Sequence, residues 1–193
     1  MSQDIQVTDT EKKIAGHISE IIKLLGEDVN RQGLVRTPLR AARALYYATR
    51  GYRQDPDAII NQAIFTHDGS RMVVVKDIEF YSLCEHHILP FYGHVSIGYI
   101  PHGNTIGLSK LARIVDFFAR RLQVQERLTA QICHLVADKL NAEGVIVECT
   151  AHHLCMKMRG VEKQDSTTTT VEVDGLFADS AELRSDFFRA LGR

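Results

Sequence analysis

The chain has 193 residues, 45% of them hydrophobic and 24% charged, with 23 Lys and Arg against 24 Asp and Glu for a formal net charge of -1. A chain of this length buries roughly 70% of the surface its unfolded form exposes, so it needs neither disulfides nor a metal merely to fold. The balanced charge removes the general electrostatic case for a nucleic-acid or anionic-membrane partner, leaving only local clusters of cations to bind small anions.

Helical signals come first. Thr8 with Glu11 three residues on forms a capping box, and Ile14, Ile18, Ile21, Ile22 and Leu25 then recur with a period near 3.6 until Gly26. Thr37-Pro38 places a capping hydroxyl before a proline at the first helical position, predicting a second helix to about Tyr47, and Asp55-Pro56 repeats the device for a short third. Residues 1–66 therefore read as a helical N-terminal arm.

The period then changes. Residues 72–80 and 94–100 read as strands joined by a long loop over 83–93, because Val and Ile dominate the first and apolar residues alternate in the second. Apolar positions 111, 114, 115, 118 and 122 predict one amphipathic helix, and 124, 128, 132, 135 and 136 predict another. Strands follow over 145–154 and 167–173, the latter with four consecutive threonines, and a C-terminal helix opens near Ser180. Two strands, two helices and two strands predict an α+β fold for residues 67–193, a four-stranded antiparallel sheet with two helices on one face. Its open edges are available to a neighbouring subunit.

Four cysteines, spaced 49, 16 and 6 residues apart, are too few for a disulfide scaffold. Residues 1–10 lack the layout of a signal peptide, and no stretch approaches the roughly 18 apolar residues of a membrane span. The expected compartment is a reducing cytoplasm. Two of the cysteines lie beside histidine pairs, in Cys84-Glu85-His86-His87 and in His152-His153-Leu154-Cys155. A Cys-x-x-His turn brings two side chains to one ion and a distant cysteine completes three ligands, leaving a position open as catalytic zinc requires. Spacing leaves His86 and His87 as alternatives for the imidazole ligand. Strand alternation predicts that His153 and Cys155 share a face while His152 points away; Cys149 lies about 20 Å further along an extended strand. Cys133, within a helical pattern, reads as buried packing. Histidines left over beside a metal are proton donors and acceptors near neutral pH.

Gly107-Leu108-Ser109-Lys110 opens a helix, where free backbone N–H groups, Ser109, Lys110 and Arg113 can meet an anion; Arg159 and Arg40 are further candidate cations. Gln125-Glu126 lies at the start of the next helix. A carboxylate can accept from N1–H and the 2-amino group of guanine, and an amide can donate and accept at the same edge.

Taken together, Cys84-Glu85-His86-His87, Gly107-Leu108-Ser109-Lys110, the stretch Val124-Gln125-Glu126-Arg127-Leu128, His153-x-Cys155, Arg159-Gly160 and Thr167 to Thr170 followed by Gly175-Leu176-Phe177 resemble type I GTP cyclohydrolases, in order over nearly the whole chain. The resemblance implies conversion of GTP and water to 7,8-dihydroneopterin triphosphate and formate, the first step toward folate or related pterins. It implies zinc on Cys84, His87 and Cys155, activating the water that attacks C8 of guanine. His86 would protonate N7, and His153 would serve later proton transfers at the ribose ring oxygen. Lys110, Arg113, Arg159 and Arg40 would hold the triphosphate with Ser109 nearby, and Gln125 with Glu126 would read guanine. The family's fold is a ββααββ tunnelling unit assembled as two stacked pentamers with sites between subunits, so a homodecamer is expected. The alternatives are a nitrile reductase of the same fold, with a cysteine nucleophile and a nicotinamide cofactor, and a zinc or nucleotide-binding module without turnover. The paired Cys/His clusters weigh against the first and the spare histidines against the second.

Overall fold

The computed structural model describes residues 7–60, 63–66, 69 and 71–193; residues 1–6 of the N-terminal stretch and residue 67, at the expected domain boundary, lie outside them. The chain divides into two compact units, one ending at Thr49 and one spanning Arg50–Arg193. The division falls earlier than residue 66 because residues after Thr49 are bonded into the second unit. Gly51 N–H donates to the Arg120 carbonyl at 2.9 Å, and Lys110 Nζ donates to the Ile59 carbonyl at 2.8 Å.

The first unit contains α1 (Asp9–Leu24) and α2 (Thr37–Ala48). The capping box at Thr8 and Glu11 is formed in both directions, satisfying two of the N–H groups a helix start leaves open. Thr37 does not cap α2. Arg36 is the N-cap, and the Thr37 hydroxyl instead donates back to the Gly33 carbonyl at 3.4 Å.

In the second unit a 3-10 turn (Arg50–Arg53) leads to α3 (Pro56–Ile60), where the Asp55 carboxylate accepts from Asp57 N–H at 3.0 Å. A small antiparallel sheet pairs β1 (Ile64–Thr66) with β4 (Asn104–Ile106). The main sheet contains β2 (Val73–Cys84), β3 (Pro90–Ile100), β5 (Leu122–Gln123), β6 (Gly144–His153) and β7 (Thr168–Gly175), in the order β5-β2-β3-β6-β7. The four long strands pair antiparallel, and the two residues of β5 add a parallel edge beside β2. The sheet is therefore mixed and five-stranded rather than purely antiparallel and four-stranded. The loop expected over 83–93 is also shorter, because β2 runs on to Cys84 and β3 begins at Pro90.

Period-2 alternation sorts the two faces. Phe91, Val95, Ile97 and Tyr99 of β3 and Val145, Val147 and Cys149 of β6 join one core with the apolar stripes of α4 (Leu108–Ala119) and α5 (Gln125–Leu140). The opposite face carries Ile100 and Ile146, covered by Phe177 of α7 (Leu176–Asp179) and Phe187 of α8 (Ala181–Ala190). Helices thus lie on both faces, the two long ones together. Gly98 permits the approach of α8, since a Cβ there would stand 2.7 Å from the Phe187 ring. Phe187 is wholly buried, and truncating such a ring to alanine typically costs about 3–5 kcal/mol.

A candidate metal centre beside a histidine-lined cavity

Cys84 ends β2 and enters a tight turn. Its N–H donates to the Leu89 carbonyl at 2.8 Å, and its own carbonyl accepts from His87 N–H at 3.3 Å and Ile88 N–H at 2.8 Å. Ile88 completes the turn at φ 55, left-handed and unfavourable for a β-branched residue. Glu85 is held from outside the turn. Its N–H donates to the Gln123 carbonyl at 3.0 Å, and its carboxylate pairs with Arg127 of α5.

The second half of the centre is delivered by register. Phe91 of β3 is paired with His153, the last residue of β6, and their rings stack with centroids 4.7 Å apart and planes 3° from parallel. The strand ends there, so Cys155 is not on it. It sits in the single turn of α6 (Leu154–Lys157), where helical geometry rather than alternation sets its direction.

These elements bring the ligand atoms of Cys84, His87 and Cys155 within 4.8 Å of one another, the grouping among the described residues that could hold a metal ion. Two sulfurs and an imidazole are a donor set suited to zinc, and three ligands leave a coordination position free. Burial raises the Cys155 thiol above its ordinary range, and the neighbouring Cys84 raises it further. A cation between the sulfurs would reverse that repulsion. The other two cysteines behave as core residues: burial pushes the thiols of Cys133 and Cys149 up to about 12.

A cavity of about 200 Å³ adjoins this group, lined by Cys84, His86, Gln125, Glu126, His153 and Cys155. His86 Nδ1 lies 3.7 Å from Cys84 Sγ. Burial lowers the His153 pKa, Glu126 opposes that shift, and His152 adds to it; the balance keeps the imidazole neutral to lower pH than usual. His152 lies on the other face, its Nδ1 2.8 Å from Lys157 Nζ.

The remaining candidates are dispersed. Gln125 is buried and its amide is already committed, with Nε2 near the carbonyls of Cys149 and Thr168 and Oε1 facing His153. Gln125 and Glu126 both line the cavity. Arg159 follows α6 and acts electrostatically on Cys155. Ser109, Lys110 and Arg113 open α4, which follows the end of β3 opposite the one paired with His153, and none of them lines this cavity. Arg113 there lines a separate cavity of about 520 Å³. Arg40 belongs to the first unit, grouped with Arg36 and Arg43 around a cavity of about 380 Å³. Phe91, the face on which His153 rests, escaped sequence reasoning; its signal is the cross-strand pairing, which requires the register.

Fold and site define a mixed α+β protein with a three-ligand, metal-competent group opening on a cavity furnished with spare histidines and a carboxylate, the equipment of a hydrolase. The family model described as GTP cyclohydrolase I matches residues 14–192. The GTP cyclohydrolase 1 of Porphyromonas gingivalis is 50% identical over 190 residues, covering 98% of each chain. That of Methylococcus capsulatus is 53% identical over 175 residues, covering 91% of this chain and 95% of the relative, and that of Chlorobaculum tepidum is 48% identical over 188 residues, covering 95% and 84%. The chain belongs to the GTP cyclohydrolase I family, enzymes of hydrolytic ring opening in GTP.

Proposed function

We propose that this chain binds one zinc ion through Cys84, His87 and Cys155 and opens the guanine imidazole of GTP at C8, releasing formate and forming 7,8-dihydroneopterin triphosphate. The observation that carries this reading is the convergence of the three ligand atoms within 4.8 Å, at the wall of the cavity that His86, Glu126 and His153 also line. When bound, zinc supplies Lewis-acid activation of water at neutral pH.

The chain's own residues supply the rest. Glu126 accepts from N1–H and the 2-amino group of guanine, orienting C8 toward the ligand group. His86 donates a proton to N7 as water adds at C8, so that nitrogen becomes a neutral N–H while the C8–N9 bond opens, and hydrolysis of the formyl group left on N7 by a second water releases formate. His153, kept neutral by burial, takes up and returns protons at the ribose as the opened sugar rearranges and closes the pterin ring. Arg159, placed next to Cys155, pairs with a phosphate oxygen.

Lys110, Arg113 and Arg40, with Ser109 nearby, hold the rest of the triphosphate, and the site lies between subunits of a homodecamer of two stacked pentamers working in the cytoplasm. The deciding experiment measures formate and pterin fluorescence from GTP with zinc-replete protein, with and without chelator. Product that appears at one zinc per chain and vanishes with the metal supports the reading. Zinc-loaded protein that binds GTP and yields no formate rejects it.

A further inference from the structure

The bonds around Gln125 contain information about His153 that the positions of heavy atoms alone do not. Gln125 Nε2 lies 2.9 Å from the Cys149 carbonyl oxygen, 2.9 Å from that of Thr168 and 3.2 Å from Thr170 Oγ1. Carbonyl oxygens only accept, so the atom facing them must be the amide nitrogen; rotating the amide would set Oε1 against two carbonyls in a buried site. The hydroxyls agree with this direction. Thr129 Oγ1 donates to the Gln125 main-chain carbonyl at 2.9 Å and lies 2.6 Å from Thr170 Oγ1. Thr170 therefore donates to Thr129 and keeps a lone pair for Gln125 Nε2.

With the amide so oriented, Oε1 faces His153 Nε2 at 2.8 Å. An amide oxygen has no hydrogen to give, so Nε2 must carry one. A neutral imidazole has a single N–H, which leaves Nδ1 bare. Phe91, stacked 3° from parallel, holds the plane of the same ring.

We propose that Gln125 is a positioning residue: it holds His153 in the Nε2-protonated tautomer and presents Nδ1 as the atom that first accepts a proton from substrate. The inference rests on the reading of His153 as a proton-transfer group. On accepting at Nδ1 the ring becomes imidazolium with Nε2–H still bonded to Gln125, and the same proton is later returned from Nδ1.

The test uses zinc-loaded, full-length protein with ¹⁵N-labelled histidine, the His153 signals being assigned by their loss in His153→Ala. The expected spectrum has a slowly exchanging Nε2–H and an unprotonated Nδ1. A ring with Nδ1 protonated and Nε2 bare overturns the proposal, and this measurement needs no Gln125 variant to fold. In Gln125→Met the Nε2–H signal should be lost to solvent exchange, with kcat down about 100-fold and KM for GTP little changed. The double variant Gln125→Met/His153→Ala should be no slower than His153→Ala alone. Multiplying losses, or a raised KM at unchanged kcat, would overturn the positioning role. Full turnover by His153→Ala would instead reject the proton-transfer reading of His153, while the spectrum still decides the hydrogen bond.

Discussion

Replacing Gly93 by alanine tests whether the geometry of the sheet governs the chemistry at its end. Gly93 of β3 is paired with Ala151 of β6, two positions from the Phe91–His153 pair. A Cβ on Gly93 would stand 2.0 Å from the Thr150 carbonyl oxygen and 2.7 Å from the Ala151 Cα, both backbone atoms that no side-chain rotation can clear. Ordinary contact begins at 3.4 Å, so the two strands must separate by about 1.4 Å, an overpacking that costs about 1–3 kcal/mol. One or two strained ladder hydrogen bonds add about 1 kcal/mol each. The expected loss of stability is therefore about 2–5 kcal/mol. The displacement also reaches His153, and a misplacement of about 1 Å at a reacting group costs on the order of 100-fold in rate. Gly16 in α1 is the control, because a Cβ there meets nothing within 4 Å; Gly16→Ala should add about 0.5–1 kcal/mol to helix stability and leave turnover unchanged. Thermal unfolding and formate release, measured on both variants at matched protein concentration, give the answer. A Gly93→Ala protein with the parental unfolding midpoint and turnover would refute the reasoning.

Three further outcomes are expected. His86→Ala should retain metal by elemental analysis and lose about 100- to 10,000-fold in turnover, whereas His87→Ala should lose the metal itself; the reverse pattern would show that the two histidines exchange roles. Glu126→Ala should weaken GTP binding by about 10- to 100-fold and narrow the preference for GTP over ITP, which lacks the 2-amino group; an unchanged preference rejects Glu126 as the guanine reader. Iodoacetamide at pH 8 should modify Cys84 and Cys155 only after the metal is chelated. Cys133 and Cys149, with thiols pushed up to about 12 by burial, carry a thiolate fraction of only about 1 in 10,000 at that pH and should stay unmodified in folded protein. Equal labelling of all four cysteines would contradict their burial.

The parts of the molecule that were legible in the sequence are those set by local chemistry. The capping box at Thr8, the stripe Leu111, Ile114, Val115 and Phe118, and the alternation in β6 each follow from a period or a cap. The ligand turn was also visible, since Cys84 and His87 are three residues apart on one turn. Nonlocal pairing hid the rest. Whether Thr37 or Arg36 caps α2 depends on the preceding turn, which offers the Gly33 carbonyl to the Thr37 hydroxyl. Cys155 was expected to share the strand with His153, but the chain turns helical at Leu154 and reaches the ligand group by another direction. The role of Gln125 was the least visible: its partners come from β6 and β7, 24 to 45 residues away. Polar and first in its helix, it looked like a surface reader; only the assembled sheet shows it as a buried strut.

The pairing of Phe91 with His153 has a consequence for folding. Side chains alternate along a strand, so a slip of one residue between β3 and β6 would turn His153 to the opposite face and shift Cys155 by about 3 Å. The ligands come from segments 71 residues apart in the chain, and only β2, β3 and β6 in correct register bring them together. An unfolded or misaligned chain has no equivalent trio to offer. An ion captured by this trio would therefore act as proofreading: it would stabilise the properly zipped sheet alone, and chains that misalign would stay metal-poor.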